Sequence, residues 1–226
     1  MTALFDMDGT LFPGDSQLRF ARWIIRRHPW RRLYLLPLCL FGLLRAVRLF
    51  DTPRMKRAFL CYAWHMGSNE LDTECQAFVR QELLHVLYPP VIKKLREHQL
   101  RGDTTVLCSA SPDWWTQHVG RALGFSHTIG TPIEPFSRVP FMPCIPPPGN
   151  NKGANKLTRL AALGITHADV GYTDSKADLP MLSICDRAVL VNPKPSFAAR
   201  IPDAEILQPS GKESPLKFLT SCLLGL

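Results

Sequence analysis

The stretch LFDMDGTLF, residues 4 to 12, sets Asp6 and Asp8 two residues apart inside an apolar run. An unpaired carboxylate is costly to bury. A strand that runs into two of them must therefore end where charge has a use. Asp8-Gly9 is also a favoured turn dipeptide and Asp6 alone could cap a helix. That structural reading accounts for Asp8 and leaves Asp6 unexplained, directly after Leu4 and Phe5. In extended backbone, positions i and i+2 point the same way, so the two carboxylates converge on one small volume.

Two further apolar runs break off in the same manner, DTTVLCSAS at Ser109 and ADVGYTDS at Asp174, and a fourth, DRAVLVNPKP, ends at Asn192 and Pro193. Between these strand-like runs lie helical patterns: PPVIKKLREHQL, WWTQHVGRALG and NKLTRLAALG, the last two closed by Gly124 and Gly164. Strands alternating with helices predict a parallel sheet with its ligand site at the carboxyl ends of the strands. Asp6, Ser109 and Asp174 all fall at such ends. From about Pro13 to Pro90 the alternation stops and the pattern is helical. The expected fold class is therefore α/β, a Rossmann-like parallel sheet core with an inserted all-helical cap. The core would comprise residues 1–12 and 91–226, and the cap 13–90. The Pro-rich RVPFMPCIPPPGNN, residues 138 to 151, reads as a hairpin or loop over the site, and the chain beyond about Ala199 as a strand and an amphipathic tail.

A net charge of +8 asks for an anionic partner without choosing among nucleic acid, lipid headgroups and phosphorylated metabolites. Seven cysteines, odd in number and scattered, read as reduced thiols, and seven dispersed histidines form no zinc pattern. No signal-peptide cleavage pattern precedes the aspartates, so the expected protein keeps its N-terminus.

Four pieces, in this order and strand context, resemble the four motifs of the haloacid dehalogenase superfamily, in particular its phosphatases with a helical cap after the first motif. They are Asp6-Met7-Asp8-Gly9-Thr10, Ser109 at the end of VLCS, Lys152 in GNNKGANKL, and Asp174 with Asp178 in GYTDSKADLPML. The resemblance implies Mg²⁺ bound by the Asp6 carboxylate, the Asp8 main-chain carbonyl and Asp174. It implies that Ser109, Lys152 and amides near Gly9 hold the phosphate oxygens, with Thr10 and Asp178 in support. Asp6 would attack phosphorus in line to give an aspartyl-phosphate. Asp8 would protonate the leaving alcohol and later take a proton from water. A phosphomonoester is a dianion, so a carboxylate attacks it only if cations cover the charge. Lys156, one helical turn from Lys152, competes for the phosphate-binding role; the family's spacing favours Lys152. Asp178 either reaches the metal through water or supports Lys152.

Between Arg19 and Arg57, eleven basic residues face a single acid, Asp51, and enclose the charge-free LYLLPLCLFGLL, residues 33 to 44. A bilayer span needs about 20 residues. The run is shorter and is broken by Pro37 and Gly42. One expectation is a cap that dips into the inner leaflet, with AFLCYAWHMG (58 to 67) as a second element and Tyr62 and Trp64 at the interface. The other is a cap helix buried against its neighbours. The cap pattern, with AWHMGS and FVRQEL, resembles the phosphatidylglycerophosphatase C enzymes of the phosphoserine-phosphatase-like branch. That likeness implies a Mg²⁺-dependent phosphatase at the cytoplasmic face of the bacterial inner membrane, acting on a lipid-borne phosphomonoester, with no nucleic-acid partner. The alternatives are a cytoplasmic phosphatase for a small metabolite of the phosphoserine or histidinol phosphate type, and a catalytically inactive membrane-binding scaffold.

Overall fold

A computed structural model of the chain describes residues 1–34, 36–37 and 52–209. Six strands form one parallel sheet in the order β3-β2-β1-β4-β5-β6: β1 Thr2–Phe5, β2 Thr104–Pro112, β3 His127–Thr131, β4 Ala168–Thr173, β5 Cys185–Val191 and β6 Glu205–Leu207. The short β1 lies between β2 and β4, with Phe5 opposite Leu107 on one side and Tyr172 on the other. Its carboxyl end therefore opens beside Ser109 of β2 and Asp174, which follows the last residue of β4.

Period-two alternation divides the core. Leu4, Val106 and Cys108 face one apolar cluster with Leu160 and Met181, while Ala3, Phe5 and Leu107 face the other. Both faces of a parallel sheet must be covered, and helices do this. They are α1 Ser16–Arg27, α2 Thr52–Phe59, α3 Ser68–Gln81, α4 Pro89–Leu100, α5 Asp113–Leu123, α6 Ala154–Ala162, α7 Leu179–Leu182 and α8 Pro195–Ala198.

The first three helices, with short 3-10 turns at Pro29–Tyr34 and Leu60–Ala63, form the helical insert between β1 and β2. Asp15 starts α1 by accepting the Gln17 and Leu18 N–H groups at 2.8 and 3.2 Å. Phe20 of α1 packs on Phe78 of α3 and Trp115 of α5, with ring centroids 5.1 and 4.8 Å apart. Glu74 of α3 accepts from Trp23 Nε1 at 2.8 Å and from Arg27 Nε at 3.0 Å. The insert is thereby joined to the sheet's helical layer through one aromatic cluster.

One expectation changes. In the segment 58–67, Ala58, Leu60, Cys61, Tyr62, Ala63 and Met66 are fully buried, so Tyr62 packs in the core beside Phe20 of α1 rather than at an interface. Arg31 is buried too and donates to the main-chain oxygens of Tyr62 and Trp64 at 2.8 and 2.9 Å. Trp64 is partly exposed. Of the run 33–44, only Leu33, Tyr34, Leu36 and Pro37 lie among the described residues; the tail FLTSCLLGL lies outside them. Among the described residues no helix is long and apolar enough to cross a membrane. Five cysteines, Cys61, Cys75, Cys108, Cys144 and Cys185, are free thiols. The segment 138–151 is irregular and ties the insert to the core: Arg57 donates to Met142 and Pro143 carbonyls, and Val139 exchanges main-chain hydrogen bonds with His65 and Met66.

Candidate active site

Asp6 follows the last residue of β1, and its N–H donates to Tyr172 O of β4 at 2.9 Å. The sheet itself thus fixes where its carboxylate stands. One carboxylate oxygen accepts from Lys156 Nζ at 2.7 Å and the other from the Thr10 hydroxyl at 3.4 Å. Lys156 Nζ also meets Asp178 Oδ1 at 2.7 Å, and Asp178 Oδ2 accepts from Thr173 Oγ1 at 2.7 Å. The result is a buried Asp6–Lys156–Asp178 row in which one ammonium is shared by two carboxylates.

Spacing favours Lys152 as the phosphate-site lysine; the structure brings Lys156, and not Lys152, against Asp6 and Asp178. The reason is the helix boundary. Lys152 precedes α6, separated from it by Gly153 in the left-handed region (φ +60°), so the two lysines do not share a helical face. Lys156 lies on the buried face of α6, one turn before Leu160, and is 1% exposed. Lys152 is exposed and reaches only the rim of the same cleft.

Gly9 has φ +77°, a left-handed conformation that favours glycine, and a Cβ there would run into the Asp174 carboxylate. This brings Asp174 against the loop that carries Asp6 and Asp8. Asp8 accepts from Ser16 N at 2.7 Å and Ser111 Oγ at 2.5 Å. Ser111 Oγ lies 3.0 Å from Ser16 Oγ, which accepts from Trp115 Nε1 at 2.9 Å. Ser111 and Ser16 are cleft residues that the sequence did not single out. Ser111 had a readable signal, standing two positions beyond Ser109 on the same side of an extended strand. The Ser109 hydroxyl is fully buried and accepts the Ser111 N–H at 3.0 Å, which leaves its own proton for another partner. Asn151 clamps the same strand end, donating to Ser109 O and Ile129 O at 2.9 and 3.2 Å.

Electrostatics follow from this crowding. Burial, opposed by Lys156, raises Asp6 well above the usual carboxylate range. Burial and then the neighbouring Asp15 push Asp8 up to about 6. Burial, followed by the charges of Asp178 and Asp8, pushes Asp174 up to about 7. Burial works against the Lys156 charge, but Asp6 and Asp178 outweigh it and raise its pKa. Asp6, Asp174 and Asp178 gather around the Lys156 ammonium, and a hard cation with oxygen ligands would neutralise the charge that it leaves uncovered. Among the described residues no three Asp, Glu, His or Cys side chains could hold a metal by themselves. Mg²⁺ fits the donor set of two carboxylates, Asp6 and Asp174, completed by the Asp8 main-chain carbonyl and water.

These groups open into a cavity of about 640 Å³. Its floor holds Asp6, Asp8, Lys156, Asp174 and Asp178; Asp15, Leu18, Arg19 and Arg22 of the α1 segment form the facing wall, and Lys152 and Lys194 stand at the sides.

The sequence profile of the haloacid dehalogenase-like hydrolase family matches residues 3–183. The chain belongs to this family. Within the haloacid dehalogenase-like hydrolases it is similar to a histidinol-phosphatase of Neisseria meningitidis, 25% identical over 219 residues that cover 84% of this chain and 90% of the relative. It is 25% identical to the phosphoserine phosphatase SerB1 of Mycobacterium tuberculosis, over 84% of this chain and 64% of that protein. Protein CicA of Caulobacter vibrioides is 27% identical over 80% of this chain and 82% of its own length. Among solved structures, a protein of unknown function from Bordetella pertussis superposes with a TM-score of 0.76 at 23% identity, covering 92% of this chain and 97% of its own. A substrate-bound phosphoserine phosphatase superposes with a TM-score of 0.58 at 13% identity, covering 92% and 93%. The fold is that of the phosphoserine-phosphatase-like members, and the protein is a phosphoric monoester hydrolase. The likeness to phosphatidylglycerophosphatase C has no counterpart among these relatives.

Proposed function

We propose that this chain is a Mg²⁺-dependent phosphatase for a small, polar phosphomonoester, working through an aspartyl-phosphate on Asp6. The observation that carries the reading is the cleft itself: buried acids and a shared ammonium on its floor, arginine and lysine around it, and, among the described residues, only Leu18, Ala110 and Ala177 as apolar side chains in its lining. Such walls suit a charged ligand and offer nothing to an acyl chain. The named activities of the relatives, histidinol-phosphatase and phosphoserine phosphatase, favour the same substrate class over a phospholipid.

Mg²⁺, bound by Asp6, Asp174 and the Asp8 carbonyl, would supply charge neutralisation at the phosphate oxygens. Lys156 holds Asp6 in place and gives the phosphoryl group a cation beside the nucleophile. Ser109 has a hydroxyl proton left for a phosphate oxygen. Asp8, fixed by Ser16 and Ser111 and with a pKa near 6, can exist in both forms at neutral pH; it donates a proton to the leaving alcohol and then takes one from water.

The experiment is phosphate release by the purified protein against a panel of soluble phosphomonoesters and lipid phosphates in detergent, with Mg²⁺ and with EDTA. Mg²⁺-dependent turnover that is highest on a soluble member supports the reading. Turnover confined to lipid phosphates, or unaffected by EDTA, contradicts it.

A further inference from the structure

Trp115 of α5 is fully buried against Phe20 and Phe78, and that packing alone asks only for a large apolar ring. The indole nitrogen has a separate use. Trp115 Nε1 donates to Ser16 Oγ at 2.9 Å, Ser16 Oγ lies 3.0 Å from Ser111 Oγ, and Ser111 Oγ donates to Asp8 Oδ2 at 2.5 Å. Three hydrogen bonds thus connect a core indole, through one serine of α1 and one of β2, to a carboxylate that lines the cleft.

This chain has one direction. An indole N–H donates and cannot accept, whereas a hydroxyl has one proton and two lone pairs. Among the described residues Trp115 and Ser111 are the only hydrogen-bond partners of Ser16 Oγ, so its proton goes to Ser111, and Ser111 gives its own to Asp8. Ser16 is fully buried and Ser111 is 4% exposed, which keeps bulk water from offering another acceptor. The reverse chain, from Asp8 to Ser111 to Ser16, would leave the Ser16 proton buried and unbonded, a costly state. The other oxygen, Asp8 Oδ1, accepts the Ser16 N–H at 2.7 Å. With a donor held against each oxygen, a proton on Asp8 is not drawn into the protein and is left for a group in the cleft.

We propose that Trp115 is a positioning residue for proton transfer: through Ser16 and Ser111 it holds a one-way chain of hydrogen bonds against Asp8, so that the Asp8 proton is delivered to the leaving alcohol. This rests on the phosphatase reading above, with Asp8 as the acid. As an Asp6 oxygen bonds to phosphorus, the bond from phosphorus to the leaving oxygen breaks and that oxygen takes the Asp8 proton. Phenylalanine at position 115 would open room for a water that accepts the Ser16 proton and lets the chain turn round. Alanine at position 16 would remove the donor to Ser111 and leave Ser111 free to accept from Asp8.

The test is leaving-group dependence. p-Nitrophenolate departs without a proton and an alkoxide does not, so kcat/KM is measured with Mg²⁺ on p-nitrophenyl phosphate and on the best alkyl phosphate of the panel. Trp115→Phe should lower kcat/KM at least about tenfold on the alkyl phosphate and less than about threefold on p-nitrophenyl phosphate. Ser16→Ala, which keeps both the indole and the Ser16 N–H, should show the same split. The double variant should lose no more than about threefold beyond the larger single loss, because both changes act on one chain. Asp8→Asn sets the reference for loss of the acid, and melting temperatures verify folding; if Trp115→Phe does not fold, Ser16→Ala decides. If Asp8→Asn shows the split while Trp115→Phe and Ser16→Ala lower both substrates equally or leave both unchanged, the chain is overturned and the acid role of Asp8 stands. Equal losses on both substrates in Asp8→Asn overturn that role and the chain with it. Absence of phosphate release from every member of the panel overturns the phosphatase reading itself.

Discussion

On the floor of the cleft Lys156 and Asp8 are held by short contacts, whereas on the α1 wall Arg22 meets its carboxylate only at a distance. Lys156 makes two contacts of 2.7 Å to carboxylates, and Asp8 accepts two hydrogen bonds of 2.5 and 2.7 Å. Arg22, facing them, has its carboxylate at 3.7 Å. The floor is built from strand ends whose positions are set by backbone pairing, such as Asp6 N–H to Tyr172 O. The wall is one side of an inserted helix. A reaction common to a family needs the first kind of construction, and the choice of leaving group is left to the second.

The comparison is broken first at Asp6. Asp6→Asn should lower kcat by at least a thousandfold with little change in fold, since it removes the nucleophile and keeps the shape. Retention of more than a tenth of wild-type turnover in the phosphate-release assay would remove Asp6 from that role.

The two lysines give the next largest difference. Lys156→Ala should cost about a hundredfold or more in kcat/KM and lower the melting temperature, because Asp6 and Asp178 lose a shared buried partner. Lys152→Ala, at the exposed rim, should cost less than about tenfold. The reverse order of effects would restore Lys152 as the phosphate-binding lysine.

Ser111→Ala is smaller again. It removes the 2.5 Å hydrogen bond to Asp8 and should reduce kcat by about three- to tenfold, without the large loss expected on deleting a charged group. An unchanged kcat would show that Ser16 alone positions Asp8.

The smallest effect is thermal. Asp8 and Asp174 have folded-state values of about 6 and about 7, above the ordinary 3.8. Between those values the folded protein binds more protons than the unfolded chain, so its stability falls as pH rises through the window. The metal-free protein should therefore melt a few degrees lower at pH 8 than at pH 5.5. Mg²⁺ should restore more at pH 8, where the carboxylates are free to bind it. Asp174→Asn should flatten both trends in a calorimetric series; an identical series for that variant would remove Asp174 as their source.

Strands β1, β2, β4 and β5 and the helices over 89–100, 114–124 and 155–164 were legible because their apolar runs and Gly stops are local signals, and the strand expected beyond about Ala199 is β6. β3, with the sequence HTIGT, was not: it is five residues long, and His127 and Thr128 carry no apolar alternation. The aspartates were legible because carboxylates inside an apolar run have few structural uses. Lys156 stood second to Lys152 because spacing alone cannot show that a helix begins at Ala154 rather than before Lys152. The segment 58–67 was ambiguous because its composition suits a membrane interface and a protein core equally; most of its side chains are buried. The lipid expectation leaned on that segment and on a run that lies largely outside the described residues.

The central claim, that Asp6 carries the phosphoryl group, is tested most directly by trapping. Wild-type protein turning over its best substrate with Mg²⁺ is quenched with borohydride, and the peptide containing residues 4–12 is sequenced by mass spectrometry. An acyl phosphate is reduced where a free carboxylate is not, so the account predicts homoserine at position 6 and unmodified aspartate at position 8. Reduction at Asp8 or Asp174, or at no residue while phosphate is still being released, would contradict it.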